Sequence, residues 1–279
     1  MSALSNSSDF MRELLLEGQF SDMEIICQDV TFKAHRAIVC TQSRFFNSAL
    51  CDGFKESLDR SINLKDETPE TIERVLSFLY LREYQDDGHA VLLQPTTDPI
   101  PSIDASDSVS QGDTSNNTEA LKARALNNIL VFTAADKFQI DPLKNLASEK
   151  FSKWVSENWD SPIFSEVVEE ALALTPPHET KLQEIIAVII SSHIFELIDR
   201  ATILPVLSSF GCLGLQVILD LVQKGRVKQP SECDYFQVLA RKLNSRRHCR
   251  HCSAALNVRM ERGEYQIGTF RCAACHTRH

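Results

Sequence analysis

The sequence predicts an α+β fold that is mainly α-helical, with a small α/β module at the N-terminal end, a helical region after it and a short β-hairpin at the C-terminal end. Short β-prone runs between positions 23 and 64 alternate with helical patterns, which predicts the α/β module. Apolar residues recur at helical spacing from position 162 to about position 224, which predicts the helical region. Two pairs of closely spaced cysteines bracket the last predicted strands.

The first predicted elements are a short helix and a β-hairpin. FMRELLLE, residues 10–17, has an amphipathic pattern that Gly18 ends. MEIIC and VTFKA are β-prone runs, and the polar pair Gln28-Asp29 between them predicts a tight turn.

The next elements are predicted to be a helix, a strand and a second helix. Residues 35–50 carry apolar side chains at helical spacing, and SINL is a short β-prone run. Thr68 is expected to cap the second helix, with Pro69 in its first turn, because threonine accepts a hydrogen bond from a free amide there and proline has no amide to leave unpaired.

Residues 85–119 differ in composition from their surroundings. They hold seven acidic residues and no Lys or Arg, and they are rich in Ser, Thr and Pro. This composition predicts a disordered acidic loop. Two helices separated by Asp141-Pro142 follow, then helices throughout residues 162–224, and DYFQVLARKL predicts a short helix before the tail.

The distribution of charge is uneven along the chain. The net charge is −9, which argues against a chain that binds nucleic acid over its whole surface. From position 241 onward there are nine Lys/Arg and two Asp/Glu, a balance of +7, so the other 240 residues carry −16. The sequence therefore predicts an acidic body with a basic tail.

The N-terminal segment lacks the features of a secretory signal. It has neither a basic stretch nor a long apolar stretch, and the most apolar run, Ile185–Ile190, is too short to cross a bilayer. We therefore expect an intracellular protein, in the cytoplasm or the nucleus, that does not bind membranes. Its cysteines are expected to be reduced, so paired cysteines indicate metal or redox chemistry rather than disulfides.

The tail has the spacing of a structural zinc site. Cys249 and Cys252 form one C-x-x-C pair, Cys272 and Cys275 form another, and nineteen residues separate the pairs. Four thiolates at this spacing can hold one Zn²⁺ tetrahedrally. NVRME and YQIGTF are predicted as the strands of a hairpin, with Arg262-Gly263 at its turn. Such a short segment has little core, so the metal is expected to supply folding free energy.

Several alternatives remain at the tail. His251 or His276 can replace one thiolate in a Cys₃His site, with the other histidines near the metal or in solvent, and a redox pair or a chance cluster is the non-metal alternative. A catalytic zinc needs a general base, and the tail offers only Glu261 and Glu264. No nucleophile–base pair, carboxylate pair or phosphate loop appears elsewhere, so we predict a protein that is not an enzyme.

The arginines of the tail allow two interpretations. They can contact nucleic-acid phosphates, although one small module reads few bases. Alternatively they form a solvated basic face, or one that docks on the acidic parts of the same chain.

Five separate pieces of the sequence resemble a BTB/POZ domain, in order and in spacing. They are FSDMEI (20–25), FKAHRAIVCTQSRFF (32–46), GFKES (53–57), INLKDETPETIERVLSFLY (62–80) and VFTAADKFQIDPLKNLASEKF (131–151). The resemblance implies a BTB/POZ-like module, similar to fungal members that carry an insert, and a helical extension similar to a BACK region. The implied organisation is an N-terminal segment with a short helix (1–19), the BTB/POZ-like domain (20–150, with the acidic insert at 85–119), the BACK-like region (151–245) and the zinc hairpin (246–279).

The resemblance also implies candidate partner-binding residues. Asp22 and Arg36 match positions near the family's dimer groove, where an ion pair fixes the fold or receives a partner's charge. Phe54 and Glu56 are similar to the hydrophobic–x–Glu element by which some BTB adaptors bind a cullin; the alternative is a core Phe54 beside an exposed Glu56. The helix over residues 10–17 packs on its own domain or crosses to the second protomer of a homodimer.

The prediction for function is a protein–protein interaction module that recruits partners, with substrate adaptor of a cullin-based ubiquitin ligase as its most specific form. The alternative is a nuclear transcriptional regulator whose basic zinc tail contacts DNA.

Overall fold

A computed structural model describes residues 7–51, 55–87, 113–200, 202–226, 241–243, 245–255, 257–259 and 269–279. The chain divides into two compact units, the first ending at Val217 and the second running from Ile218 to His279. The predicted boundary between residues 150 and 151 falls inside a helix. The predicted BTB/POZ-like domain and the predicted BACK-like region both contribute residues to the first unit. The four-part organisation stays a prediction.

The first unit contains a small three-stranded sheet. Strands β1 (Met23–Cys27) and β2 (Val30–Ala34) form the predicted antiparallel hairpin, and β3 (Ser61–Asn63) pairs with β1 in parallel, giving the order β2-β1-β3. Gln28 lies in the hairpin turn with a φ of 53°. Alternate residues of β1 are buried, as expected for a strand with one face on the core.

Helix α1 (Ser7–Glu17) ends where the sequence predicts, at Gly18. Gly18 has a φ of +61°, and a Cβ at this position would lie 2.9 Å from Cβ of Lys33. Both the left-handed backbone and the close approach of β2 therefore require glycine.

The predicted single helix over residues 35–50 is wrong in one respect: it is two helices, α2 (Arg36–Gln42) and α3 (Arg44–Cys51). Ser43 between them is extended, and its hydroxyl accepts a hydrogen bond from the amide of Phe46 and donates one to the carbonyl of Phe138. Capping of α3 by Ser43 thus interrupts a continuous helical pattern.

A one-turn helix, α4 (Lys55–Asp59), precedes β3, and α5 (Pro69–Leu81) follows it. The hydroxyl of Thr68 accepts a hydrogen bond from the amide of Thr71, which confirms the predicted cap. All ten residues from Thr71 to Tyr80 are buried, so α5 is the central helix of the first unit.

Helices α6 (Asp113–Lys137) and α7 (Asp141–Asn158) form a hairpin. The predicted acidic loop over 85–119 is therefore wrong at its end, because α6 begins at Asp113. Helix elongation is cheap once begun, so the helix-forming stretch after position 119 extends back over the polar residues. Residues 85–87 are described without regular structure, and 88–112 lie outside the described residues.

The predicted helical region consists of short helices. The apolar pattern predicts one helix over residues 179–199 and another over 204–224. The first is divided at His193 and the second at Phe210, where the backbone leaves helical geometry. The helices of this region are α8 (Phe164–Leu174), α9 (Lys181–Ser192), α10 (Ile194–Asp199), α11 (Leu204–Ser209) and α12 (Gly211–Gln223). Along the described parts of the chain, none of the helices has the length and apolar character needed to cross a membrane.

The tail in the second unit contains a short antiparallel pair, β4 (Val258–Arg259) and β5 (Arg271–Cys272). β4 lies within the predicted strand NVRME. β5 begins just after the predicted strand YQIGTF (265–270), of which residues 265–268 lie outside the described residues and 269–270 are not part of a strand. Cys272, from the second cysteine pair, takes part in the strand pairing. The predicted turn at 262–263 lies outside the described residues, as does most of the predicted helix over 234–243, of which 241–243 are helical.

Candidate functional site

The two cysteine pairs of the tail have the same backbone fold. In each pair the amide of the first cysteine, Cys249 or Cys272, donates to the carbonyl five residues later, and its own carbonyl accepts from the amide four residues later. The donor of this second bond, Ser253 or His276, has a left-handed backbone, with a φ of 55° or 56°. Each motif is closed by a β-bridge, His248 to Ala255 or Arg271 to Arg278. Two equivalent turns therefore present two cysteines each.

The two turns bring the four sulfurs together. All four Sγ atoms lie within 4.8 Å of one another, and neither His251 nor His276 belongs to this cluster. Sγ of Cys249 is 3.5 Å from Sγ of Cys275, and Sγ of Cys252 is 3.8 Å from Sγ of Cys272. Four thiolates at about 2.3 Å from one Zn²⁺ at the centre of a tetrahedron would lie about 3.8 Å apart. The four predicted cysteines thus form a cluster that fits a metal ion.

Hydrogen bonds favour thiolate at two of the four sulfurs. Hydrogen bonds from the side chain and the backbone of Thr277 lower the pKa of Cys275 to about 5. The backbone amides of Cys252 and His251 lower the pKa of Cys249. The pKa of Cys252 is raised to about 11. The amide of Ala254 lowers this pKa, but the opposing effects of the Cys275 thiol, of burial and of the other two thiols are larger in sum. A bound cation would relieve this crowding of negative charge.

The ring of His279 lies against the cysteine cluster. Its Nε2 is 3.3 Å from Sγ of Cys249, its Nδ1 is 2.9 Å from Nη1 of Arg246, and its plane stacks on Phe270 with ring centroids 5.5 Å apart. Burial, together with the charges of Arg250 and Arg246, lowers the pKa of His279. Sequence analysis did not single out this histidine among the four in the tail, and its contact with Cys249, thirty residues away along the chain, depends on the folded structure.

The surface of the tail is strongly basic. The described residues from position 241 onward include eight Lys/Arg and no Asp/Glu. Arg247, Arg250, Arg259 and Arg278 are exposed. Even with a four-thiolate Zn²⁺ centre, which has a net charge of −2, this surface keeps a positive potential that favours an anionic partner.

The predicted Asp22–Arg36 pair makes a different contact from the one expected. Oδ1 of Asp22 accepts a hydrogen bond of 2.8 Å from the backbone amide of Arg36, the first residue of α2, and Nη2 of Arg36 donates to the carbonyl of Leu50. A carboxylate at a helix N-terminus satisfies a free amide and favours the helix dipole. These contacts give both residues a role in holding α2 and α3, and partner binding by them stays a prediction.

A buried histidine near this pair has a complete set of hydrogen bonds. The hydroxyl of Tyr80 accepts from the amide of His35 and lies 2.7 Å from its Nδ1, and Nε2 lies 2.6 Å from the carbonyl of Gln19. The hydroxyl donates to Nδ1, so Nε2 carries the hydrogen that binds Gln19. Burial raises the pKa of Tyr80 to about 12. His35 therefore has a structural role.

The predicted cullin-binding element is described only in part. Phe54 lies outside the described residues, and Glu56 is half-buried in the first turn of α4. Leu58, in the same helix, is 81% exposed, although sequence analysis did not single it out.

A second group of metal-type side chains lies in the first unit. Asp136, His178 and Glu179 are close enough to share one ion, but Nζ of Lys144 lies 2.7 Å from Asp136 and 2.8 Å from Glu179. Burial raises the pKa of Asp136, and the hydrogen bonds from Lys144 and His178 outweigh it and hold that pKa below its usual value. The ammonium group already supplies the positive charge, so this group is an ion-pair network.

A comparison with known protein families matches the N-terminal module. Residues 11–94 match the family model described as BTB/POZ domain. Kelch-like protein 25 of Rattus norvegicus, Mus musculus and Homo sapiens is 36% identical over 62 residues, which is 22% of this chain. The match spans about a tenth (10%) of the length of those relatives.

Solved structures similar to this chain include the BTB domain of zebrafish PATZ1, with 15% identity, a TM-score of 0.32 and coverage of 55% of this chain and 99% of that one. The BTB domain of human Gigaxonin has 14% identity, a TM-score of 0.30 and coverage of 53% and 96%.

Proposed function

Because this chain carries a BTB/POZ domain at residues 11–94, a domain that generally mediates protein–protein interaction, we propose that it is a non-enzymatic adaptor that recruits partner proteins. The match to this domain is the observation that carries the proposal. In its specific form, the domain binds a cullin through the segment that contains Phe54 and Glu56, and the protein is a substrate adaptor of a cullin-based ubiquitin ligase. The exposure of Leu58 beside this segment supports a contact surface there.

The cullin interaction is tested by direct binding. The purified full chain is titrated against a panel of cullin N-terminal domains, in parallel with a Phe54→Ala/Glu56→Ala variant and with Lys55→Ala. The intact chain should bind one cullin, and so should the control Lys55→Ala, because the side chain of Lys55 is exposed. The double variant should bind that cullin at least about 10-fold more weakly, since loss of an anchor costs more than 1 kcal/mol. Equal binding by the double variant, or no binding by the intact chain, would contradict this form of the proposal.

The proposed adaptor has one structural Zn²⁺ in its tail, held by Cys249, Cys252, Cys272 and Cys275. The sulfur separations and the two equivalent turns support this assignment. When bound, Zn²⁺ would link the two turns and neutralise thiolate charge. Metal analysis of the purified chain should give one zinc per chain, and the Cys252→Ser/Cys272→Ser variant should give none. Cys212→Ser, at an exposed cysteine far along the sequence, serves as the control.

The basic surface of the tail supports a second candidate, a nuclear regulator that contacts DNA. Eight Lys/Arg without a described acidic residue provide the charge for phosphate contacts. If this candidate holds, the full chain binds duplex DNA with an affinity that falls steeply with salt, and Arg247→Ala/Arg250→Ala reduces the slope. Binding that is absent at low salt would exclude it.

A further inference from the structure

The position of the hydrogen on the His279 ring follows from its neighbours. A guanidinium group only donates hydrogen bonds, so Nδ1 of His279, 2.9 Å from Nη1 of Arg246, must be the acceptor. The hydrogen of the neutral imidazole is then on Nε2. This atom lies 3.3 Å from Sγ of Cys249, a normal length for an N–H group that donates to sulfur.

The orientation of the ring is fixed independently of the metal. It stacks on Phe270 with an interplanar angle of 17°, and the amide of His279 donates to the carbonyl of Phe270 at 2.8 Å. Phe270 is buried and adjoins β5, which carries Cys272. The imidazole is therefore held by three contacts, and its Nε2–H is directed at one sulfur of the cluster.

We propose that His279 is a positioning residue of the metal centre, which donates a hydrogen bond from Nε2 to the Cys249 thiolate and does not ligate the metal. This inference rests on the proposed zinc site. A metal-bound thiolate retains negative charge, and an N–H donor withdraws part of it, which strengthens the centre and makes the sulfur less nucleophilic. Arg246, through Nδ1, places a positive charge behind the donor. The backbone amide of His251, 3.4 Å from the same sulfur, adds a second hydrogen bond to Cys249.

Substitutions at His279 can remove the Nε2–H donor and still keep an aromatic ring stacked on Phe270. His279→Phe keeps an aromatic ring beside Phe270 but has no N–H, and His279→Gln supplies an amide N–H with a similar reach. His248→Phe changes an exposed histidine that directly precedes Cys249 and is the matched control. The measurements on the full chain are zinc affinity by competition with a chelator, the sulfur-to-cobalt charge-transfer band of the Co²⁺-loaded protein, and the rate at which iodoacetamide alkylates Cys249.

The proposal predicts that His279→Phe binds one zinc at least about 10-fold more weakly, as for loss of other partners of metal ligands. In the Co²⁺-loaded His279→Phe variant, the charge-transfer band should move to lower energy, and Cys249 should be alkylated faster. His279→Gln should recover part of both changes, and His248→Phe should behave as the wild type. Unchanged spectra and alkylation in His279→Phe would overturn the proposal with the zinc site intact.

A measurement on the unmodified chain covers the case in which the variants do not fold. In the ¹¹³Cd-loaded wild type, a coupling between ¹¹³Cd and the Nε2 proton of His279, across the sulfur, would support the hydrogen bond. A direct coupling between ¹¹³Cd and a ring nitrogen would show that His279 is a ligand and would overturn the proposal. A wild-type chain that binds no metal would overturn the zinc site itself, and with it the role of His279.

Discussion

The hydroxyl of Tyr80 is the most informative single group in the first unit. It satisfies both the amide and Nδ1 of the buried His35, which lies at the start of α2. We predict that Tyr80→Phe lowers the free energy of unfolding by about 1–3 kcal/mol, because it leaves two buried polar groups without a partner. Urea denaturation followed by circular dichroism measures this change. A loss below about 0.5 kcal/mol, the range of ordinary surface substitutions, would contradict the structural role assigned to this pair.

Asp22 contributes less, because its side chain is exposed. Its carboxylate accepts the amide of Arg36 at the start of α2. We predict that Asp22→Ala costs about 1 kcal/mol of stability, the usual cost of losing a helix cap. Asp29→Ala, in the exposed hairpin turn, is the control and should change stability little. If the two variants prove equally stable, Asp22 does not cap α2, and the prediction that it contacts a partner gains weight.

Individual residues were predictable from sequence only where spacing along the chain carries the chemistry. The four cysteines form such a pattern, because each pair lies on one turn. His279 and Arg246 do not, since they are 33 residues apart and meet only through the folded tail. Tyr80 and His35 are separated by 45 residues, and their contact likewise depends on the packing of α5 against the start of α2.

Among the helices, α3 depends on a cap that also connects distant parts of the chain. Ser43 caps α3 through the amide of Phe46 and donates to the carbonyl of Phe138, 95 residues away. We predict that Ser43→Ala lowers the free energy of unfolding by about 1–3 kcal/mol, because both buried groups lose their partner. Ser156→Ala, at an exposed serine inside α7, should stay within about 0.5 kcal/mol. Equal stabilities of the two variants in urea denaturation would contradict this assignment.

Hydrophobic periodicity predicted most elements but not the interruptions within them. The helical patterns of residues 35–50, 179–199 and 204–224 continue across Ser43, His193 and Phe210, although the backbone leaves helical geometry at each. The same limit affected the acidic loop, where composition predicted disorder and α6 begins at Asp113. Tertiary packing determines where such helices begin and end, and local sequence propensity does not reveal that packing.

At the scale of the whole molecule, the described residues of the two units differ in the apolar cores that they bury. The first unit buries a large apolar core that includes α5 and the α6–α7 hairpin. In the described part of the tail, the buried apolar side chains are Cys249, Phe270 and Cys272, and two of these three are proposed metal ligands. The fold class was predictable because the β-prone runs lie near the two ends of the chain and helical periodicity fills most of the rest. The division at Val217 was not predictable, since the helical pattern runs through it.

This difference predicts the response to metal removal. Chelation of zinc from the full chain should abolish hydrogen-exchange protection of the tail amides of Cys249, Cys272 and His276, whose hydrogen bonds define the two turns. The amides of α5 and α7 should keep their protection, because these helices pack on a core of apolar side chains. Hydrogen exchange with mass spectrometry locates the change, and added zinc should reverse it. The Cys252→Ser/Cys272→Ser variant should show an unprotected tail before chelation and no further change after it. Protection of the tail that survives verified loss of zinc would mean that its apolar contacts suffice, whereas loss of protection in α5 would mean that the first unit depends on the metal.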